Sequence, residues 1–177
     1  MRLFIAINFE EKVKNKILIL INELQKYSAK GKFVSEEHMH LTLEFLGEIE
    51  ENKLGLIKSV LNKVNIEPFT MDLSKIGYFK RREGDIYWLG IKENKTLLEL
   101  QSMLHKLLIE NGFLLEDRPY KPHITLGRKV IMNEGFNEDD FNKFVNEIKI
   151  NVNSVEIMKS ESIKGRLIHT AIYSKTL

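Results

Sequence analysis

The sequence predicts an α+β fold in which antiparallel sheets carry helices on their outer faces. Short apolar runs rich in strand-forming residues recur along the chain, and three longer segments place apolar residues at helical spacing. A four-residue pattern also repeats 83 residues apart, close to half of the 177 residues. The repeat indicates a duplicated lobe, with its two copies facing each other across a pseudo-twofold axis.

The chain opens with a predicted strand and helix. Residues 3–7 form an apolar run typical of a buried strand. Residues 10–27 predict a helix that Lys30-Gly31-Lys32 is expected to end, and residues 33–34 are expected to begin the next strand. The apolar positions that define one face of this helix are Val13, Ile17, Leu20, Ile21 and Leu24.

The middle of the chain alternates between strand and helix patterns. Residues 40–46 alternate in polarity and predict a strand that turns at Gly47, and residues 51–64 predict a helix. Residues 69–79 and 86–91 predict two strands joined by a polar turn.

The second half repeats this alternation. A third helix is expected at residues 94–111, because Gly112 is a typical residue just beyond a helix end. The remaining predicted elements are a strand at 122–131, a shorter helix at 138–148, and strands at 150–158 and 167–173. We expect residues 1–177 to form one domain.

The composition excludes several classes of protein. With 27 basic and 25 acidic residues, the net charge of +2 argues against a protein that coats nucleic-acid duplexes, although a role at an RNA end stays open. The chain has no cysteine, which excludes disulfides, thiolate nucleophiles and cysteine-bound zinc. The N-terminal apolar run is too short for a secretion signal or a membrane span, so we expect a cytoplasmic protein without a membrane partner.

The repeated pattern carries the candidate chemistry. His40-Leu41-Thr42-Leu43 recurs as His123-Ile124-Thr125-Leu126, each within a predicted strand. Because residues two apart in a strand point to the same face, each histidine shares a face with its threonine, and the residue between them points into the core.

Two such pairs facing one cleft fit acid–base catalysis on a phosphodiester. A neutral imidazole can accept a proton from an attacking water, and a charged one can donate a proton to the departing sugar oxygen. The threonine hydroxyls can hold the phosphate oxygens. The motifs contain no carboxylate to complete a site for a hard metal, so we expect neither metal nor cofactor. The symmetry of the motifs leaves open which histidine is the acid.

The segments around both motifs resemble a known family. Residues 38–48, with His-Met-His-Leu-Thr-Leu-Glu-Phe-Leu-Gly-Glu, and residues 118–128, with Arg-Pro-Tyr-Lys-Pro-His-Ile-Thr-Leu-Gly-Arg, resemble the two HxTx motif blocks of the 2H phosphoesterase superfamily. Together with residues 2–7, 86–91 and 155–160, they resemble its RNA 2′,3′-cyclic phosphodiesterase branch, once named 2′-5′ RNA ligase. Residues 35–39 depart from the usual pattern of that branch, which concerns the approach loop and not the chemistry. Residues 161–167 replace its usual glycine- and proline-rich segment, and a different substrate preference is open there.

The resemblance implies a bilobal fold with a central cleft and hydrolysis of 2′,3′-cyclic phosphate ends to 2′-phosphomonoesters. It implies that His40 is the proton donor and His123 the proton acceptor. Thr42, Thr125 and Arg128 are then phosphate ligands, and Ser160 is a candidate for the cleft edge. The implied partners are RNA ends or small nucleotides with a cyclic phosphate. We expect a monomer, although no residue pattern fixes the oligomeric state.

Several other residues have a functional and a structural interpretation. Phe9 and Phe45 are candidates for stacking on a base, although Phe45 has the parity of a core residue. The basic residues 80–82 either guide RNA or form a solvated turn. We expect the remaining residues of interest to be structural: His38 in a loop, His105 half-buried on the third helix, Trp88 in the core and His169 in the last strand.

Two rival functions remain at this point. A different 2H activity, such as opening nucleotide cyclic phosphates or cleaving or joining 2′-5′ linkages, would use the same four residues. A noncatalytic module that binds RNA ends would need the hydroxyls and Arg128 but not two proton-transfer groups. Replacing His40 separates the second rival from an enzyme, because a binding module should keep much of its affinity.

Overall fold

The computed structural model describes residues 1–145 and 148–177, which form nine strands and four α-helices. The helices are Glu11–Lys26 (α1), Leu54–Asn62 (α2), Lys95–Glu110 (α3) and Glu138–Asn142 (α4). The strands are Arg2–Asn8 (β1), Ser28–Phe33 (β2), His40–Glu48 (β3), Phe69–Phe79 (β4), Asp85–Ile91 (β5), His123–Met132 (β6), Lys149–Val152 (β7), Ser154–Ile163 (β8) and Arg166–Thr176 (β9).

The strands form two antiparallel sheets. One sheet has the order β3-β1-β8-β9, and the other has the order β2-β6-β5-β4-β7. The first His-x-Thr motif begins β3 at the edge of the four-stranded sheet, and the second begins β6 inside the five-stranded sheet. The predicted α+β class, with two antiparallel sheets around a cleft, is confirmed.

One hydrophobic core joins the two sheets. It contains buried residues of α1, α2 and α3 together with residues of both sheets, such as Ile5, Leu41 and Ile124. All the predicted apolar positions of α1 are buried in it. Each sheet therefore buries one face against helices, which leaves its other face to carry half-buried polar residues.

The structure corrects the prediction around residues 30–34. Lys30-Gly31-Lys32 was expected to end the first helix, but α1 ends at Lys26 and these residues lie inside β2. Phe33 ends that strand instead of beginning one. The reason is tertiary, because β2 pairs with β6, a partner about one hundred residues away that local signals do not reveal.

The prediction is also wrong in the last third of the chain. Helix α4 has five residues, shorter than residues 138–148, of which 146 and 147 lie outside the described residues. The single strand expected at 150–158 is two strands in different sheets, because β7 pairs with β4 whereas β8 pairs with β1 and β9. The chain changes sheet at Asn153, whose carbonyl accepts a hydrogen bond from the Leu177 N–H at 2.9 Å.

The last hairpin is closed by a tight turn. Lys164 and Gly165 both have positive φ, 49° and 78°, which is the backbone of the two-residue turn that matches the twist of a hairpin. This turn fixes the register of β8 and β9, so that Ser160 lies opposite His169. None of the described helices is long and apolar enough to cross a membrane.

Candidate active site

Strand β3 presents His40 and Thr42 on one face. The two residues lie opposite Asn8 and Ala6 of β1, and both are half-buried. Leu41, between them, is completely buried in the core. The alternation predicted from the sequence is therefore present, and the buried leucine fixes the strand that carries the polar pair.

Strand β6 repeats the arrangement in the other sheet. His123 and Thr125 lie opposite Gly90 and Trp88 of β5 and are half-buried, while Ile124 is completely buried. In both sheets a residue with little or no side chain, Ala6 or Gly90, lies opposite one member of the His–Thr pair.

A β-bulge follows the threonine in both motifs. On β1, Ala6 pairs with Thr42 and Ile5 with Glu44, so Leu43 has no partner. On β5, Trp88 pairs with Thr125 and Tyr87 with Gly127, so Leu126 has no partner. A bulge of one residue inverts which face the following side chains occupy.

The bulges explain why Phe45 and Arg128 lie on the same strand face as the motif histidines despite their odd spacing from them. Phe45 and Arg128 each lie five residues after a histidine, an odd spacing that a regular strand would place on the opposite face. Beyond the bulge, Phe45 pairs with Phe4, their rings are 6.0 Å apart, and about half of Phe45 is exposed. The core interpretation of Phe45 is therefore wrong.

The two motif strands contact each other although they belong to different sheets. The Tyr120 hydroxyl, just before β6, donates a hydrogen bond of 2.9 Å to the carbonyl oxygen of Thr42 on β3. Arg128 lies near enough to both histidines for its positive charge to lower the pKa of each. These observations place β3 close to β6 and Arg128 close to both motif histidines.

Each motif histidine is held by the backbone two residues earlier. The Nδ1 of His123 lies 2.7 Å from the carbonyl oxygen of Lys121. A carbonyl can only accept a hydrogen bond, so Nδ1 carries the proton and Nε2 has the free lone pair. His40 makes the corresponding hydrogen bond with the backbone of His38.

Burial is the main cause of a lowered pKa in both motif histidines. The pKa of His40 is lowered to about 4, chiefly by burial and then by the nearby His169, His38 and Arg128, whereas the hydrogen bond to the His38 backbone raises it. Burial also lowers the pKa of His123, with smaller contributions from Arg128 and Arg118, while its hydrogen bond to Lys121 acts in the opposite direction. Both rings are therefore neutral at pH 7 in the empty cleft.

Aromatic rings surround His40. Its ring centroid lies 4.9 Å from Phe4 and 5.4 Å from His169, and His169 lies 4.8 Å from His38. His38 is not free, since its ring nitrogens bond to the Ser35 hydroxyl and the carbonyl oxygen of Leu167. His38 was expected in a loop but ends the short 3-10 helix Glu36–His38 that precedes β3. His169 lies beside His40.

A second aromatic group lies beside His123. Phe79 meets the His123 ring edge-on at 5.2 Å, and Trp88 lies 6.1 Å from it. Trp88 was expected in the core. It lies instead on the cleft face of β5, over Gly77, where an added Cβ would overlap the indole. Gly77 is therefore needed for this position of the ring.

The remaining predicted site residues have different outcomes. Phe9 is 6% exposed and belongs to the hydrophobic core, so the expected stacking on a base is wrong for this residue. Ser160 is half-buried in the same cross-strand row as Arg2 and His169, at the edge of the site. In the basic turn, the Arg81 guanidinium lies 5.9 Å from the Phe79 ring, which connects that turn to His123.

Sequence reasoning missed the buried polar contacts behind β3. Glu44, directly after the first bulge, is 8% exposed and accepts hydrogen bonds from His105 at 2.8 Å and Gln101 at 3.2 Å. His105 is half-buried on α3, as predicted, but its bond to Glu44 was not foreseen. The spacing of four between Gln101 and His105 was the available signal, because it places both on one face of a helix.

No group of three or more histidine, aspartate or glutamate side chains within residues 1–145 and 148–177 is arranged to hold a metal ion. Although His38, His40 and His169 are close together, both ring nitrogens of His38 are already engaged. The chemistry available to this cleft is that of imidazoles, hydroxyls and one guanidinium.

Comparison with known proteins places these observations in context. Residues 7–87 and 89–169 match the family described as LigT-like phosphoesterase. A Thermotoga maritima protein named RNA 2′,3′-cyclic phosphodiesterase is 40% identical over 131 residues, which span 72% of this chain and 70% of that protein. A Methanothermobacter thermautotrophicus protein of the same name is 29% identical over 178 residues, covering 96% and 95% of the two chains. The structure of Escherichia coli LigT complexed with 3′-AMP has a TM-score of 0.84 at 26% identity, covering 99% of this chain and 97% of that one.

Proposed function

This chain belongs to the LigT-like phosphoesterase family, a branch of the 2H phosphoesterases, and we propose that it hydrolyses RNA 2′,3′-cyclic phosphate ends to 2′-phosphomonoesters. Relatives from several bacteria and archaea carry the name RNA 2′,3′-cyclic phosphodiesterase. The observation that carries the proposal is that the histidines of two His–Thr pairs, on strands of different sheets, both lie near Arg128.

His123 acts as the general base. Its Nδ1 proton is committed to the Lys121 carbonyl, which supports Nε2 as the nitrogen that accepts a proton from water. The resulting hydroxide attacks phosphorus, and the bond from phosphorus to the 3′ oxygen breaks. The phosphate then remains on the 2′ oxygen.

His40 acts as the general acid, which requires it to carry a proton when the substrate is bound. Its pKa of about 4 in the empty cleft leaves it neutral at pH 7. A phosphodiester anion bound beside it offsets the positive charge of Arg128 and raises the pKa of His40. The proton then passes from His40 to the departing 3′ oxygen, and exchange with solvent restores both rings.

Thr42, Thr125 and Arg128 hold the phosphate. The hydroxyls lie two residues after each histidine on the same face, from which they donate hydrogen bonds to the non-bridging oxygens. The Arg128 guanidinium can donate two parallel hydrogen bonds to phosphate oxygens. These groups stabilise the charge that grows on the phosphate in the transition state, and no step of this mechanism uses a metal.

Phe45 supplies a stacking surface for the terminal base. It is a large exposed aromatic residue on the face of β3 that carries His40, and it packs against Phe4, which contacts the His40 ring. Stacking of bases on aromatic side chains tolerates any base sequence. A single stacked nucleotide next to the cyclic phosphate is enough to place the reacting bond.

The proposal is tested with an RNA oligonucleotide that ends in a 2′,3′-cyclic phosphate, incubated with the protein in EDTA. We expect a 2′-phosphate product from the unmodified protein and a rate at least about 100-fold lower from His40→Ala and from His123→Ala. A 3′-phosphate product would reverse the assignment of the leaving group. Loss of activity in EDTA that a divalent ion restores would overturn the metal-independent mechanism.

The same variants separate the enzyme from its rivals. If the unmodified protein does not turn over this RNA but hydrolyses a 2′-5′-linked dinucleotide, a different 2H activity is the correct one. If nothing is turned over and His40→Ala binds the RNA end as tightly as the unmodified protein, the chain is a binding module.

A further inference from the structure

A third histidine lies in the cleft that the acid–base mechanism does not use. His169 on β9 meets the rings of His40, His38 and Phe4 edge-on, at centroid distances of 5.4, 4.8 and 5.1 Å. Phe4 also contacts His40 at 4.9 Å. The His40 imidazole is therefore in contact with both the Phe4 and the His169 rings, which also contact each other.

The ring of His169 is less constrained by hydrogen bonds than the rings of the other histidines. His38, His40, His105 and His123 each have a hydrogen-bond partner that constrains the ring. The Nδ1 atom of His169 is buried and has no partner within the described part of the chain. Its protonation is consequently decided by the neighbouring rings and charges.

The groups facing His169 are neutral or positive. His38 faces it from the turn before β3, His40 from β3, and Ser160 from β8, with Arg2 of β1 in the same cross-strand row. Glu161, next to Ser160 on β8, is bonded to Lys159 at 3.0 Å. Burial and then His38 lower the pKa of His169, and His169 in turn is the first charge that lowers the pKa of His40.

We propose that His169 is a positioning residue for His40, holding its imidazole in place and competing with it for a single proton. Burial is the main reason that His40 is uncharged in the free protein, and this competition adds to it. An anionic phosphate entering beside Arg128 favours a second positive charge, so His40 gains its proton only when a substrate is present. This inference rests on the proposed role of His40 as the acid.

The test measures the pKa of individual histidines by NMR in the free protein, and therefore does not depend on turnover. His169→Phe keeps a ring against His40 but removes both nitrogens. We expect the His40 pKa to rise by about half a unit to one unit, since a like charge is removed. His105 and His123, which do not contact His169, should titrate unchanged in the same spectra.

A second measurement adds inorganic phosphate as the probe. The rise in the His40 pKa on adding phosphate should be smaller in His169→Phe than in the unmodified protein, because the competing group is gone. If His169→Phe does not fold, His169→Asn serves in its place, because it also lacks a titrating ring. It should shift the His40 pKa in the same direction. An unchanged His40 pKa in a folded variant would overturn the proposal and leave His169 as packing alone. If these pKa shifts are observed but the unmodified protein does not hydrolyse the RNA with a cyclic phosphate end, the proposed function is refuted and the role of His169 is not.

Discussion

Phe45 and Arg128 occupy equivalent positions in the two halves of the molecule, each five residues after a motif histidine and each beyond a bulge at a leucine. One half therefore brings an exposed aromatic ring to the cleft and the other a guanidinium. In the proposed function, this bulge provides a surface for a base on one side and a charge for the phosphate on the other. This division is consistent with a nucleotide lying across the pseudo-twofold axis.

Replacing Arg128 should lower the catalytic rate and raise the pKa of both motif histidines. We expect Arg128→Ala to lower kcat/KM for a cyclic phosphate end by about tenfold to 100-fold, since hydrogen bonds to charged groups contribute about 1.5–3 kcal/mol. The pKa of His40 and of His123 should rise, because the same cation lowers both. Steady-state kinetics and NMR titration measure the two effects.

A neighbouring cation serves as the control for this prediction. Lys129 follows Arg128 in β6 but forms an ion pair with Glu83 at 2.6 Å. Lys129→Ala should retain activity within about twofold, as surface ion pairs contribute little. If both variants lose activity equally, the effect of Arg128 is general electrostatic attraction and not a phosphate contact.

Removing Glu44 should destabilise the protein. Glu44→Ala leaves His105 and Gln101 without their acceptor, at a cost of about 1–3 kcal/mol in the free energy of unfolding. Glu44→Gln keeps an oxygen acceptor in the same place and should cost less. Urea unfolding compares the two variants, and equal losses would show that the charge of Glu44, not its hydrogen bonds, stabilises the contact between α3 and β3.

Adding a methyl group at Gly77 should displace Trp88 from the cleft. The new Cβ would overlap the indole ring, so the ring must move away from its place beside His123. We expect Gly77→Ala to lower kcat/KM at least about tenfold, since small displacements of positioned groups are costly in catalysis. Tryptophan fluorescence should shift at the same time.

Gly90 offers a matched control on the adjacent strand. A Cβ at Gly90 would meet its nearest neighbour, the Lys75 carbonyl oxygen, at 3.4 Å, which is ordinary contact. Gly90→Ala should therefore change the fluorescence and kcat/KM much less. A similar loss in both variants would mean that the cleft is sensitive to any added volume, and that Trp88 has no particular part in it.

The protein should lose stability as the pH falls from about 6.5 to 4. An unfolded histidine has a pKa near 6.5, whereas that of His40 in the folded protein is about 4. Between these values the unfolded chain binds more protons, so the free energy of unfolding decreases as the pH is lowered. The contribution of His40 is about 3 kcal/mol, fully present above pH 6.5 and lost at pH 4.

The His40→Asn variant isolates this contribution. Urea unfolding at intervals from pH 7.5 to 4 measures the free energy of unfolding of both proteins. It should decrease less steeply with falling pH in the variant than in the unmodified protein. The carboxylates contribute to the decrease in both. His123 and His169, whose pKa values are lowered in the same direction, account for part of the remaining slope. Parallel declines would mean that His40 titrates normally in the folded state.

Local patterns in the sequence determined much of this protein. The alternation in each His-x-Thr motif predicted that His40 and Thr42 share a face above a buried leucine, because a strand has a period of two regardless of its surroundings. Apolar spacing predicted α1 and α3, and the resemblance to known motif blocks identified the family. All of these signals are short in range along the chain.

Only the tertiary structure decided the features that depend on pairing between distant segments. Whether Lys30 lies in a strand depends on β6, and whether residues 150–158 are one strand or two depends on which sheet each part joins. The bulges at Leu43 and Leu126 exist only relative to partner strands, yet they move Phe45 toward the cleft and Glu44 into the interior. The sequence therefore identified the groups proposed to do the chemistry, whereas the pairing of strands decided which residues surround them, because register is a property of two segments and not of one.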